Sequence, residues 1–322
     1  MKFFTRRLIT LGLLCLPLAA MSQATWPNKP IKVIVPFGAG AATDTVARVI
    51  MEQVSKQLGQ PIIIDNKPGA GGTIGASMVA HAEPDGYTLM VHSNSQTVTP
   101  WTYRNLNFDP MKDLVGVTPL VSVPMVLVTS PAKGVKTLHD LVAAAKAKPG
   151  AMNYASAGTG GVTHLGAERL RMAGGFTATH IPTKSSGEAL TEVMTQRVDF
   201  YFSPVGLALP FVKQGKLVAL AVSGARRSSA MPDVPTTLEA GLPNSEYEVW
   251  IGMFAPAKTP QAILERLNVE TVKALQSSEV RDRLSNLVME PMPMALGDFS
   301  TFLKRDFELN GDLVKAAGIQ PN

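Results

Sequence analysis

The segment Ile31-Lys32-Val33-Ile34-Val35-Pro36-Phe37-Gly38-Ala39-Gly40-Ala41-Ala42-Thr43-Asp44 carries the fold in miniature. Ile31 to Val35 is a short β-branched run that ends at Pro36. Phe37 to Ala42 is a loop of mostly small residues. Thr43 or Asp44 is placed to cap a helix, in which Val46, Val49, Ile50, Val54 and Leu58 recur at helical spacing. Gly59 closes it.

The same alternation continues outward. Pro61 to Asp65 reads as the next strand, Asn66 to Gly72 as a turn-rich loop, Thr73 to Ala82 as a helix and Tyr87 to His92 as a third strand. A β-α-β-α-β series predicts a largely parallel sheet. A second unit starts near Met125, with a strand at Val126 to Thr129, a helix at Leu138 to Ala147 and a strand at Met152 to Ala155. The loop Ser156-Ala157-Gly158-Thr159-Gly160-Gly161 leads into a helix at Thr163 to Met172. A helix around Gly187 to Thr195 and strands at Val198 to Phe202, Leu217 to Ser223 and Trp250 to Ala255 follow. Two amphipathic helices, Ile263 to Gln276 and Leu296 to Ala316, finish the chain. Two α/β lobes fit this order: residues 25–124, then 125–247, then a return to the first lobe over 248–322.

Composition narrows the function. The 322 residues are 45% hydrophobic and 17% charged, enough apolar material for a core and far from a disordered or disulfide-stapled chain. One apolar run approaches membrane length and is too short to span, which argues against a channel. Lys2, Arg6 and Arg7 with no acid precede that run, Leu8 to Ala20, and Ser22-Gln23-Ala24 follows it. This is the pattern of an export signal cleaved after Ala24, by the general or the twin-arginine route. Without those 24 residues the chain holds 27 bases against 25 acids and no cysteine. A nucleic-acid partner loses its electrostatic basis.

The chemistry sits in the loops. Ligands collect at the carboxyl ends of strands in open α/β sheets, where helix starts offer free N–H groups to an anion. Loops 37–43 and 156–163 are placed to grip a carboxylate or phosphate with backbone donors, and Ser156, Thr159 and Thr163 add hydroxyls. Gly69-Ala70-Gly71-Gly72-Thr73-Ile74-Gly75 lacks the spacing of a dinucleotide loop and follows a turn rather than a strand. His164 and Glu168 share a helix face without a third metal ligand at suitable spacing. No nucleophile elbow surrounds any serine. No cofactor, metal or catalytic residue is expected.

At this point the chain resembles a known family. The markers are Trp26-Pro27 with Pro30-Ile31, Val35-Pro36-Phe37-Gly38 through Asp44, and Asp65-Asn66-Lys67-Pro68-Gly69-Ala70-Gly71-Gly72. Further on stand Pro84-Asp85-Gly86-Tyr87-Thr88-Leu89, Asn153-Tyr154-Ala155-Ser156 with Thr163-His164-Leu165, Gly215-Lys216-Leu217 with Ala219-Leu220-Ala221, and Pro232-Asp233-Val234-Pro235-Thr236. They are similar to the Bug/TctC family, the extracytoplasmic solute-binding proteins of tripartite tricarboxylate transporters. The resemblance implies a two-lobed periplasmic binding protein, type II-like, that closes like a Venus flytrap on a small carboxylate: a dicarboxylate, a tricarboxylate, an acidic amino acid or an aromatic acid. It implies delivery to a membrane permease of one large and one small subunit, and the chain is expected to act as a monomer.

By position, the resemblance implies first-lobe contacts from Phe37, Gly38, Ala39, Gly40, Ala41 and Thr43, with Ser93, Asn94 and Ser95. Second-lobe contacts are Ser156, Gly158, Thr159, Gly160 and Thr163, with Lys184 and Ser203. Three departures concern the ligand. A paired glycine of the family is here Gly40-Ala41, its Pro-Tyr-Lys-Gly-Gly is Pro182-Thr183-Lys184-Ser185-Ser186, and its Asp-Asn pair is Ser203-Pro204. Two other readings stay open: a subunit presenting ligand to a membrane kinase, and a secreted hydrolase using Ser156 and His164.

Overall fold

The computed structural model describes residues 26–321. The proposed signal segment and its cleavage point lie outside them. Two sheets organise the chain. The first contains β1 (Ile31–Val35), β2 (Ile62–Asn66), β3 (Thr88–Ser93), β4 (Leu114–Ser122), β10 (Trp250–Pro256) and β11 (Glu290–Pro291), in the order β11-β4-β10-β3-β1-β2. The second contains β5 (Met125–Thr129), β6 (Asn153–Ser156), β7 (Thr179–Pro182), β8 (Phe200–Pro204) and β9 (Val218–Val222), in the order β7-β6-β8-β5-β9.

Helices cover both. Around the first sheet lie α1 (Ala42–Leu58), α2 (Thr73–Ala80), α8 (Gln261–Gln276) and α9 (Ser278–Asn286). The second carries α4 (Leu138–Ala147), α5 (Val162–Gly174), α6 (Ser186–Met194) and α7 (Val205–Lys213). Two helices tie the lobes together. In α10 (Leu296–Ala316), Phe299 and Leu303 pack into a first-lobe core with Trp250 and Phe254, whereas Leu313 and Val314 pack into the second-lobe core with Leu127 and Phe202. Val98 and Trp101 of α3 (Ser95–Thr102) belong to that second core too.

The two-lobed α/β class stands, but the sheets are mixed rather than mostly parallel. β1 pairs β2 and β3 in parallel, and β6 does the same with β7 and β8. β10 runs antiparallel to both β3 and β4, and β5 antiparallel to both β8 and β9. Parallel neighbours need a crossover connection, usually a helix, whereas antiparallel neighbours do not. β5 and β10 carry the chain from one sheet to the other, so each enters its sheet against the local direction.

Sequence periodicity missed β4, α3, α7, β7 and α9. Pro119 and Gly116 interrupt β4, whose pairing with β10 carries two register shifts. Pro100 and Pro210 sit inside α3 and α7 and mask their helical period. β7 is a mostly exposed edge strand with no apolar face to read. Three helices, not two, close the chain, because Ser277 caps a short α9 through the N–H of Val280.

Candidate ligand cleft between the lobes

The two glycine-rich loops follow β1 and β6, and each runs into a helix without a side-chain cap. Side-chain caps occur at α4, α6 and α9, from Thr137, Ser185 and Ser277; α2, α3, α7, α8 and α10 share the bare start of α1 and α5. The expected caps Thr43 and Asp44 both lie inside α1 instead. The first N–H groups of α1 and α5, those of Ala42 and Thr43 and of Val162 and Thr163, have no carbonyl within their own helix. They point at whatever occupies the helix start, and the positive end of the dipole favours an anion there.

Asp44 shapes the first loop from beneath. Its Oδ2 accepts from Gly40 N–H at 2.9 Å and Arg48 Nε at 3.0 Å, and its Oδ1 accepts from Asn66 Nδ2 at 3.0 Å. Burial alone raises the pKa of this carboxyl. The bonds from Arg48, Gly40 and Asn66 outweigh it, so the carboxylate is held below its ordinary range. Asn66 also donates to the Phe37 carbonyl at 3.0 Å. Asp44, Arg48 and Asn66 were not foreseen as a unit, since β2 brings Asn66 across 22 residues of sequence.

The second loop is held in the same manner. Ala157 N–H donates to Thr163 Oγ1 at 2.9 Å, Gly158 N–H to Ser156 Oγ at 3.2 Å and Gly160 N–H to His164 Nδ1 at 3.0 Å. Several backbone donors expected to face a ligand are therefore spent inside the loops, that of Gly40 among them. The helix-start groups remain.

A cavity of about 810 Å³ lies against the second loop and the start of α5, while the first loop and the start of α1 do not line it. Gly71, Ser95, Thr102 and Tyr103 of the first-lobe segments line it, together with Thr159, Gly160, His164 and His180 of the second lobe and residues 316–320 of the tail. Of the sixteen candidate residues, Ser95, Thr159 and Gly160 line it. Phe37, Gly38, Ala39, Gly40, Ala41, Ser93, Gly158 and Lys184 lie outside its wall while remaining at least partly accessible.

Five candidates turn inward. Thr43, Ser156 and Thr163 are buried at the loop roots. Asn94 is 0% exposed and its Nδ2 donates to Tyr247 Oη at 3.4 Å, while Ser203 is also buried and donates to the Pro204 carbonyl at 3.1 Å. Asn94 and Ser203 thus present no side chain to the cleft in this structure. Asn94 is the residue before α3, and Ser203 lies within β8 opposite Val126.

The cavity floor is a polar stack. The rings of His164 and His180 overlap, and Tyr154 lies within 5.1 Å of His180, centroid to centroid. Tyr154 Oη donates to Glu168 Oε1 at 2.5 Å, and Arg171 holds the same carboxylate through an ion pair of 2.6 Å. Despite burial, which raises it, that pairing keeps Glu168 below its ordinary range. The partner of Ser156 Oγ is His180 Nε2 at 2.6 Å, not His164. His164 Nδ1 is occupied by Gly160, so the Ser156–His164 pair a hydrolase needs is not formed. No cluster of three metal-ligating side chains occurs among the described residues, and no helix among them is long and apolar enough to cross a membrane.

Two lobes of α/β structure, joined by crossing strands, with a cavity between them at the start of α5, define a periplasmic binding protein fold. The chain belongs to the tripartite tricarboxylate transporter receptor family, TctC, whose model matches residues 46–319. It is 35% identical over 264 residues to the protein BugT of Bordetella pertussis, covering 81% of each chain. Among solved structures it is similar to Rpa4515 of R. palustris with adipate, at 30% identity and a TM-score of 0.74, covering 92% of this chain and 100% of that one. It is also similar to MatC of Rhodopseudomonas palustris with bound malate, at 34% identity and a TM-score of 0.70, covering 90% of this chain and 100% of that one.

Proposed function

We propose that this chain is exported, cleaved after Ala24, and captures a small carboxylate between its lobes in the periplasm for delivery to a tripartite tricarboxylate transporter. The single observation that carries the reading is the pair of small-residue loops that open onto the starts of α1 and α5, in a chain similar to two solved structures that hold adipate and malate. The lobes comprise residues 25–124 with 248–322, and residues 125–247.

The chemistry follows from the donors. The carboxylate is held by the N–H groups of Ala42, Thr43, Val162 and Thr163, by nearby hydroxyls and by ordered water. Lys184 is exposed and peripheral. Hydrogen bonds to a charged acceptor contribute about 1.5–3 kcal/mol each. Four of them give about 6–12 kcal/mol, which reaches the roughly 8 kcal/mol of micromolar binding only at the upper end once ordering costs are subtracted. Closure of the lobes removes water from the carboxylate and strengthens each bond.

Mass spectrometry of the acid that co-purifies with the periplasmic protein, followed by calorimetric titration with adipate and malate, tests this reading. Stoichiometric binding without turnover supports it. Absence of any bound acid, together with no heat on titration with either compound, would defeat it. Uptake assays in cells with and without the chain separate delivery to a permease from ligand sensing, and N-terminal sequencing beginning at Thr25 checks the export step.

A further inference from the structure

Val288 stands where helices ordinarily place glycine. It follows the last turn of α9 with φ +54°. Its N–H donates to the Ser285 carbonyl at 2.9 Å, and that of Met289 to the Leu284 carbonyl at 3.0 Å. These two bonds close a helix through one left-handed residue, and glycine is the usual choice there. A β-branched side chain is an outlier in that conformation. Such strain persists only where the surrounding structure holds it in place.

The side chain of Val288 accounts for it. It packs against a second-lobe core that includes Val205, Ala208 and Val222, whereas the next residue, Met289, packs against the first-lobe core. A Cβ on Gly206 of α7 would meet Val288 Cβ at 3.6 Å, an ordinary contact. Glu290 reaches across as well: its Oε1 accepts from the Ser229 N–H at 2.9 Å. Through β11, Glu290 also lies opposite Ser122, the last residue of β4. A cavity of about 600 Å³, lined by Pro124, Gly224, Glu248 and Arg281 among others, separates the lobes beside these contacts.

The sheet orders place this connection behind the hinge, where β4 passes into β5 and the chain returns through β10. In the first sheet β4 and β10 stand between β11 and β1, whose loop leads into α1. In the second, β5 stands between β9, which precedes Ser229, and β6. A rotation about the hinge that brings the loops after β1 and β6 together therefore draws β11 away from the segment after β9.

We propose that residues 288–290 form a clasp behind the hinge that holds the lobes apart at the cleft and so lowers ligand affinity. This rests on the lobe closure of the reading above, not on the identity of the acid. A ligand that binds the closed arrangement must first release Val288 from α7 and Glu290 from Ser229. Its apparent affinity falls with the fraction of chains that are closed.

Val288→Gly keeps the left-handed turn and removes the packing, and Glu290→Ala removes the acceptor. Both variants and the double variant are compared with wild type by solution scattering without ligand and by calorimetric titration with adipate and malate. The ligand-free radius of gyration should fall in the double variant, and binding of whichever compound the wild type takes should tighten about fivefold. Each single variant should move both quantities in the same direction by less. An unchanged or larger ligand-free radius in the double variant overturns the clasp, as does a smaller radius with binding no tighter than wild type. Should Val288→Gly fail to fold, Glu290→Ala decides alone by the same two readouts. If the wild-type chain binds neither compound, the carboxylate reading fails, and the ligand-free radius alone decides the clasp.

Discussion

His164 and His180 stack face to face, their ring centroids 3.7 Å apart and their planes 10° apart. The first lies on α5 and the second on β7, so the contact fastens the helix to the edge strand at the cavity floor. Two protonated rings cannot share that geometry. Burial first, and the neighbouring His180 second, lower His164 from 6.5 to about 4, and burial lowers His180 as well. Glu168 pulls the other way on both rings without reversing the shift.

The stack makes stability depend on pH. Between about pH 6.5 and 4 the unfolded chain binds protons that the folded chain refuses at His164. Stability from this group is therefore full above 6.5 and is lost as the pH falls towards 4, by on the order of 3 kcal/mol. Chemical unfolding from pH 7 to 4 should show the decline. In His164→Gln, whose amide oxygen can still accept from Gly160 N–H, the decline should be shallower. An equally steep loss in that variant would assign the effect to other groups.

Asp306 should be a stability determinant at the lobe junction. Thr97 Oγ1, Asn310 Nδ2 and Trp250 Nε1 all donate to its Oδ2, at 2.5, 3.1 and 3.2 Å, joining α3, α10 and β10. Burial pushes its carboxyl up to about 6 against those bonds. Asp306→Ala leaves buried Trp250 Nε1 without an acceptor. It removes one of two acceptors from Thr97 Oγ1, which also donates to the Asn94 carbonyl, and from Asn310 Nδ2, which also donates to Thr97 Oγ1. The substitution should cost about 1–3 kcal/mol. Because the folded-state value is raised, Asp306 adds stability as the pH falls from 6 towards 3.8, opposite in sign to His164. Its removal should steepen the acid decline; denaturant midpoints at pH 7 and 5 measure both effects, and a cost under about 1 kcal/mol at pH 7 would contradict the network's role.

The first loop separates backbone strain from ligand contact. A Cβ at Gly38 or Gly40 meets no heavy atom within 4 Å, but Gly40 has φ +82° and Gly38 lies outside the left-handed region. Gly40→Val should cost about 1–2 kcal/mol in stability through that conformation and reduce affinity for adipate or malate at least tenfold. Gly38→Ala should leave the melting temperature unchanged, so any affinity it loses reports contact with the anion. Lys184→Met should stay within tenfold of wild type, about 1.4 kcal/mol. Abolished binding in Lys184→Met with Gly40→Val tolerated would replace the helix-start mechanism by a direct ion pair.

Lobe closure should show in solution scattering. The chain crosses between sheets at Ser122 to Pro124 and again at Tyr247 to Val249, and these segments pair through Val123 N–H and the Val249 carbonyl at 2.7 Å. Ser122 Oγ and the Glu248 carboxylate bond there too. A hinge at this pair should shrink the radius of gyration at saturating ligand. No change would count against rotation, and α10, which packs into both cores, would be the restraint to examine by truncating Leu313 or Val314 to Ala.

Local chemistry in the sequence determined much of this molecule. Ile31–Val35, α4 and α10 follow from apolar spacing and breakers, because those patterns act within a few residues. The two small-residue loops and the helices after them were equally legible. Tertiary structure decided the rest. β5 and β10 run against their neighbours because the chain passes twice between lobes, which no periodicity records. Ser156 meets His180 rather than His164 because β6 and β7 are adjacent strands, with Tyr154 opposite His180 in register. Asn94 faces inward from the turn between β3 and α3, and Ser203 from its place within β8 opposite Val126; the residue type sets neither direction.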